Sequence, residues 1–103
     1  MIKVSVLYPN SPGATFDMDY YLDKHMTMVE EKLGAACKNV EAEQGVAGGA
    51  PGAPAPFIAI GHLYFDSLEA FQKAFAPHAD AIMADIPNYT NTKPTVQISE
   101  VRM

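Results

Sequence analysis

Phe16-Asp-Met-Asp-Tyr-Tyr-Leu-Asp-Lys-His25-Met-Thr-Met-Val29 decides how this chain folds. The stretch reads as an amphipathic helix with a histidine on its apolar side. Asp17 suits the N-cap, where its carboxylate accepts from the free amides of the first turn. Phe16 before the cap and Tyr21 after it have the spacing of a hydrophobic staple. At ~100° per residue, Met18, Leu22, Val29 and Leu33 share one stripe, with Tyr21 and Met28 at its edge. His25 lies beside that stripe, and Asp19, Asp23, Thr27, Glu30 and Glu31 lie opposite. The spacing therefore predicts that His25 points at whatever the helix covers. Gly34 suits the C′ position that ends the helix.

On either side of this helix the pattern changes to strands. Ile2 to Tyr8 alternates, with Ile2, Val4, Val6 and Tyr8 on one face and Lys3, Ser5 and Leu7 on the other. Pro9 to Gly13 is dense turn chemistry. After the helix, Ala36 to Ala47 reads as a second strand, carried by Val40 and Val46. Gly48-Gly-Ala-Pro-Gly-Ala-Pro-Ala-Pro56 is a loop with few side chains to pack. No Lys-Ser/Thr follows it and no helix begins there, so it reads as a mobile hairpin connection or lid and not as a phosphate loop. Phe57 to Phe65 is apolar on both faces, the mark of a central strand covered on both sides. Asp66-Ser-Leu-Glu69 is a D-x-x-E capping signal for a helix with Leu68, Phe71 and Phe75 on one face. Pro77 interrupts that helix. His78 to Ile86 resumes it, with His78, Ile82 and Asp85 on one side. Pro87 ends it, and Thr95 to Val101 is the last strand.

The element order is β-α-β-β-α-β. It predicts an α+β, ferredoxin-like domain: a four-stranded antiparallel sheet with both helices on one face. The other face then carries apolar residues of the third strand, which points to a two-fold homodimer packed sheet against sheet.

Composition narrows the function. A chain of 103 residues forms one domain, 1–103. The net charge of −5, with its Lys and Arg scattered, argues against nucleic acid and anionic membranes. The single cysteine, Cys37, allows no internal disulfide and suits a reducing cytoplasm. Met1 leads directly into strand sequence with no signal pattern. No apolar run approaches the ~20 residues of a membrane span.

The chain resembles the EthD family. The residues that carry the likeness are Val6-Leu-Tyr-Pro9, Phe16-Asp, Tyr20-Tyr21 and His25. They continue with Ile60-Gly-His-Leu-Tyr-Phe-Asp-Ser67, Ala84-Asp-Ile-Pro-Asn-Tyr-Thr90 and Ile98-Ser-Glu100. The resemblance spans nearly the whole chain and is specific only in combination. It implies membership of the dimeric α/β-barrel superfamily, with sheet faces at the dimer interface and a ligand between sheet and helices. The family is named for a gene linked to degradation of ethyl tert-butyl ether, a xenobiotic, and its members are often labelled oxidoreductases. The superfamily also holds cofactor-free monooxygenases, lactone isomerases and polyketide cyclases.

Candidate residues follow. His25 is either a core histidine satisfied by a carbonyl or a general acid/base in a pocket. His78 is either a solvated loop residue or, by resemblance to the cyclases, a second catalytic histidine closing over the same ligand. His62 shares a face of the third strand with Ile58, Ile60 and Tyr64, and Ala59 and Gly61 share the other. Parity alone leaves open which set faces the helices. If Ala59 and Gly61 do, a pocket lies beside them and His62 meets the dimer partner. Tyr21, Leu22, Ala59, Gly61 and Asp85 make up the expected substrate-binding set, Asp85 on the resemblance alone. No H-E-x-x-H or G-x-G-x-x-G pattern exists, so neither a metal nor a cofactor is expected. Two functions fit: a cofactor-independent or oxidoreductase-type catabolic enzyme acting on a small apolar substrate, or a non-catalytic small-ligand-binding or accessory protein.

Overall fold

A computed structural model describes all residues, 1–103. The four strands are β1 (Ile2–Pro9), β2 (Asn39–Gln44), β3 (Phe57–Phe65) and β4 (Thr95–Glu100). They form one antiparallel sheet in the order β2-β3-β1-β4. Two helical rods lie across one face. The first runs through α1 (Met18–Tyr20), a π-helical turn (Tyr21–His25) and α2 (Met26–Leu33). The second runs through α3 (Leu68–Phe75), a 3-10 turn (Ala76–His78) and α4 (Ala79–Asp85). This is the ferredoxin-like arrangement that the element order implies.

Register settles the parity of β3. Val4 pairs with Leu63, Val6 with Gly61 and Tyr8 with Ala59. Residues opposite one another in a ladder share a face, and Val4, Tyr8, Ala59 and Phe65 are all buried in the core. Ala59 and Gly61 therefore face the helices. His62 faces outward, where its Nδ1 meets Ser5 Oγ at 2.9 Å and its Nε2 lies 3.3 Å from Glu43. The outward face is consequently mixed: this polar patch sits beside the half-buried Leu7, Ile58 and Ile60.

The first rod starts as expected. Asp17 Oδ1 accepts from the Tyr20 amide at 3.1 Å, and the Phe16 and Tyr21 rings meet edge-on at 5.0 Å. It ends at Gly34, whose φ of 62° is the left-handed region that glycine tolerates. Between these ends the α-helical stripe fails. The Met26 amide donates to Tyr21 O, five residues back, which widens the turn. The wider turn keeps Tyr21 and His25 on the covered side together with Met26, Val29 and Leu33. Leu22, expected on the buried stripe, is 45% exposed.

Other expectations also shift. The cap of α3 is Ser67, whose Oγ accepts from the Ala70 amide at 3.0 Å; Asp66 instead lies 3.7 Å from Lys38 Nζ. The helix therefore starts one residue later, and Leu68 sits in the first turn, 44% exposed, while Phe71 is buried. β2 begins at Asn39 because Gly34–Ala36 forms a 3-10 turn. The 45–56 connection closes the β2–β3 hairpin, and Asn10 holds it: its amide donates to Pro56 O at 3.0 Å and its Nδ2 to Ala55 O at 2.9 Å. The lid reading fails, since no residue of that loop lines the cavity between sheet and helices.

Gly61 is the point where rod and sheet approach most closely. A methyl group at 61 would overlap the Tyr21 hydroxyl, and Tyr21 is only 1% exposed, so it has nowhere to move. Gly61→Ala is expected to cost about 1–3 kcal/mol, the range for overpacking, read as a lower urea midpoint at unchanged m. In a Tyr21→Phe background the same change should cost clearly less, because the clashing oxygen is gone. An undiminished cost there would locate the strain in the backbone instead.

Candidate active site

The helices stand off the sheet over a cavity of about 350 Å³, lined almost entirely by apolar side chains. Val4, Val6, Gly61 and Leu63 form its floor, and Met26, Val29, Phe71, Ile82 and Ile86 its roof. His25 enters this space from the π turn. At 4% exposed, it is among the most buried polar side chains of the chain.

The 88–92 loop, which returns alongside the start of the first rod, completes the setting of His25. The Asp17 amide donates to Tyr89 O at 2.7 Å, and Thr90 Oγ1 donates to Thr15 O at 2.7 Å. The Asn91 side chain bonds both the Thr15 amide and Gly13 O. This stitching places the Tyr89 ring 4.7 Å from the imidazole, and Tyr21 stacks on the imidazole at 5.7 Å and 15°. Tyr8 and Tyr89 share a hydroxyl hydrogen bond of 2.7 Å.

His25 Nδ1 lies 2.9 Å from Asp85 Oδ2, across 60 residues of sequence. The carboxylate is itself held: Tyr20 Oη donates to Oδ1 at 2.7 Å and Asn88 Nδ2 at 2.9 Å. Burial opposes its charge, but the bonds from Tyr20, Asn88 and His25 outweigh burial and hold Asp85 below its ordinary 3.8. It is therefore a carboxylate near neutrality, able only to accept, so Nδ1 carries the proton and Nε2 the lone pair. Burial also governs His25. It pushes the imidazole below 6.5, more strongly than Asp85 pulls it up, so the ring is neutral at pH 7. Nε2 has no partner in the chain, and no sealed side-chain nitrogen or oxygen lacks one. It is thus open to the cavity. A neutral imidazole with its back nitrogen pinned by a carboxylate has the fixed tautomer and direction that general-base chemistry requires.

Of the expected residues, His25, Tyr21 and Gly61 line the cavity. Asp85 acts from behind His25. Ala59, the cross-strand neighbour of Tyr8, is fully buried and does not reach the cavity wall. Leu22 points to solvent. His78 stands apart: the 3-10 turn containing Pro77 breaks the helical phase before α4, so His78 does not line the cavity as Ile82 does. Sequence reasoning missed Tyr8, Tyr20, Asn88 and Tyr89: the tyrosine hydroxyls find partners 65 and 81 residues away, and Asn88 matters only because its local partner Asp85 meets His25.

Fold and site together define a class: a small α+β protein of ferredoxin-like fold with one buried histidine in an apolar helix–sheet cavity. The EthD domain model matches residues 14–93, and the chain belongs to the EthD family. It is 48% identical to an EthD-like protein from Ralstonia eutropha, with a TM-score of 0.94 over 99% of this chain and 92% of that one. An ethyl tert-butyl ether D family protein from Bacillus halodurans is 19% identical, with a TM-score of 0.75 over 99% of each chain. A protein from Bacteroides fragilis, described as dimeric and of unknown function, is 13% identical, with a TM-score of 0.58 over 97% of this chain and 95% of that one. The last two share the fold alone. No curated protein matches the chain, and no helix is long and apolar enough to cross a membrane.

The electrostatics have a measurable consequence. His25 should titrate below 6.5 when followed by its ring-proton shifts, and Asp85→Asn should lower the value further by removing the carboxylate that opposes burial. Between the folded value and 6.5 the unfolded chain binds a proton that the folded chain refuses, so stability falls as pH drops below 6.5 and is flat above it. Asp85 adds a second loss as pH falls through its own depressed value.

Proposed function

We propose that this EthD-family chain is a catabolic enzyme that moves a proton on a small, apolar substrate held between helices and sheet, with no cofactor of its own. One observation carries the reading: a neutral, carboxylate-backed imidazole directs an unpaired nitrogen into an otherwise apolar cavity. His25 Nε2 takes the proton. Asp85, steadied by Tyr20 and Asn88, keeps the ring in the correct tautomer and stabilises the imidazolium that forms. Burial suits the role, because it keeps the base unprotonated at neutral pH and strengthens its interaction with the bound ligand.

Ligands found by thermal shift should be tested for exchange of an acidic carbon-bound hydrogen with D₂O. The expected result is exchange that His25→Gln slows by about 10²–10⁴-fold, the usual range for a lost general base. The rate should be flat above pH 6.5 and fall at lower pH, following the His25 titration. Hits that bind tightly to wild type and never exchange would make the chain a small-ligand-binding protein instead.

We further propose that the chain forms a homodimer through the outward sheet faces. Half-buried Leu7, Ile58 and Ile60 on that face support the reading, as does the dimeric description of the Bacteroides fragilis protein of like fold. Sedimentation at micromolar concentration should report twice the monomer mass. Glu placed at Ile60 should return it to the monomer mass; a clean wild-type monomer would remove the proposal.

A further inference from the structure

We propose that the cavity selects a neutral ligand bearing one hydrogen-bond donor, a hydroxyl, on a compact apolar body, and that it rejects ethers, esters and carboxylates of the same size. The inference rests on the reading of the helix–sheet cavity as the ligand site. Its basis is the polarity of the groups inside. His25 Nε2 is an acceptor with no partner. The neighbouring hydroxyls are turned on one another: Tyr8 bonds Tyr89 at 2.7 Å, and the Tyr21 hydroxyl lies against that of Tyr8. An acceptor is complemented only by a donor. An ether or ester presents lone pairs alone, so it would leave Nε2 stripped of water and unpaired.

Charge is excluded on separate grounds. No Lys or Arg lines the cavity, and burial keeps His25 uncharged near neutrality. A carboxylate entering would lose its hydration with no cation to replace it. The shape then orients the ligand. His25, Tyr21 and Tyr8 are nearly fully buried and form the deep end, whereas Met83 and Val96 are 49% and 51% exposed and form the mouth. The hydroxyl goes down to Nε2, and the apolar body fills the way out. The volume of about 350 Å³ is at the low end for ligand sites and suits a single ring with a short chain.

Four probes that share a propylbenzene body test this by calorimetric titration: para-propylphenol, para-propylanisole, para-propylbenzoate and propylbenzene. At about pH 8 imidazole is neutral and a phenol keeps its proton. Wild type should bind the phenol at least about tenfold more tightly than the anisole or propylbenzene, the effect of one hydrogen bond made against one left unmade, and the benzoate most weakly. In His25→Phe the advantage of the phenol over the anisole should vanish. If the anisole or benzoate binds wild type as tightly as the phenol does, the donor rule is overturned while the cavity stands as a ligand site. If none of the four binds, propylbenzene included, the cavity is not a ligand site and both readings fall. The wild-type comparison decides between these outcomes even if His25→Phe does not fold.

Discussion

A buried imidazole must find a hydrogen-bond partner, and much of this structure is arranged around the one that His25 finds. Its bond to Asp85 joins the first helical rod to the end of the second. Without that partner, placing His25 among Tyr21, Tyr89 and the apolar roof would cost the desolvation of an unpaired nitrogen. With it, one nitrogen is satisfied and the other remains available. The π turn is the geometric counterpart. Its five-residue repeat brings Met26 into phase with Tyr21 and His25 over the sheet and leaves Leu22 exposed, and π turns recur at functional sites in helices.

The aromatic side chains make that arrangement rigid. Tyr8, Phe16, Tyr21 and Tyr89 meet mostly edge to face, with centroids 5.0–5.9 Å apart. Such pairs add to simple burial and have few ways to repack. Gly61 lets Tyr21 close onto the sheet, so the absence of one side chain on β3 determines where the deep end of the cavity begins. Toward β4 the helices no longer cover the sheet, and Val96 and Ile98 are left half exposed on the helix-facing side. The same fold thus has a closed, polar-tipped end and an open, apolar one.

The two faces of the sheet surround their histidines differently. His25 meets the cavity with one ring nitrogen unpaired. His62, one residue from Gly61, has Nδ1 hydrogen-bonded to Ser5 and Nε2 3.3 Å from Glu43. Availability of a lone pair, more than burial, distinguishes the two rings, since both are nearly inaccessible.

Local patterns determined much of this. Alternation identified β1 and apolar content β3, the Asp17 cap and Gly34 bounded the first rod, and the element order implied one antiparallel sheet with both helices on a single face. The placement of His25 on the covered face was also legible, because helical spacing is a short-range property. What tertiary structure alone decided depends on distant residues. The face of β3 came from its pairing with β1, since parity is symmetric until a partner breaks it. The exposure of Leu22 came from a π turn with no signature in its own residues. The separation of His78 from the cavity came from the phase lost at the Pro77 turn. Asp85 became the partner of His25 only because the two rods lie side by side, and no local rule links residues 60 positions apart.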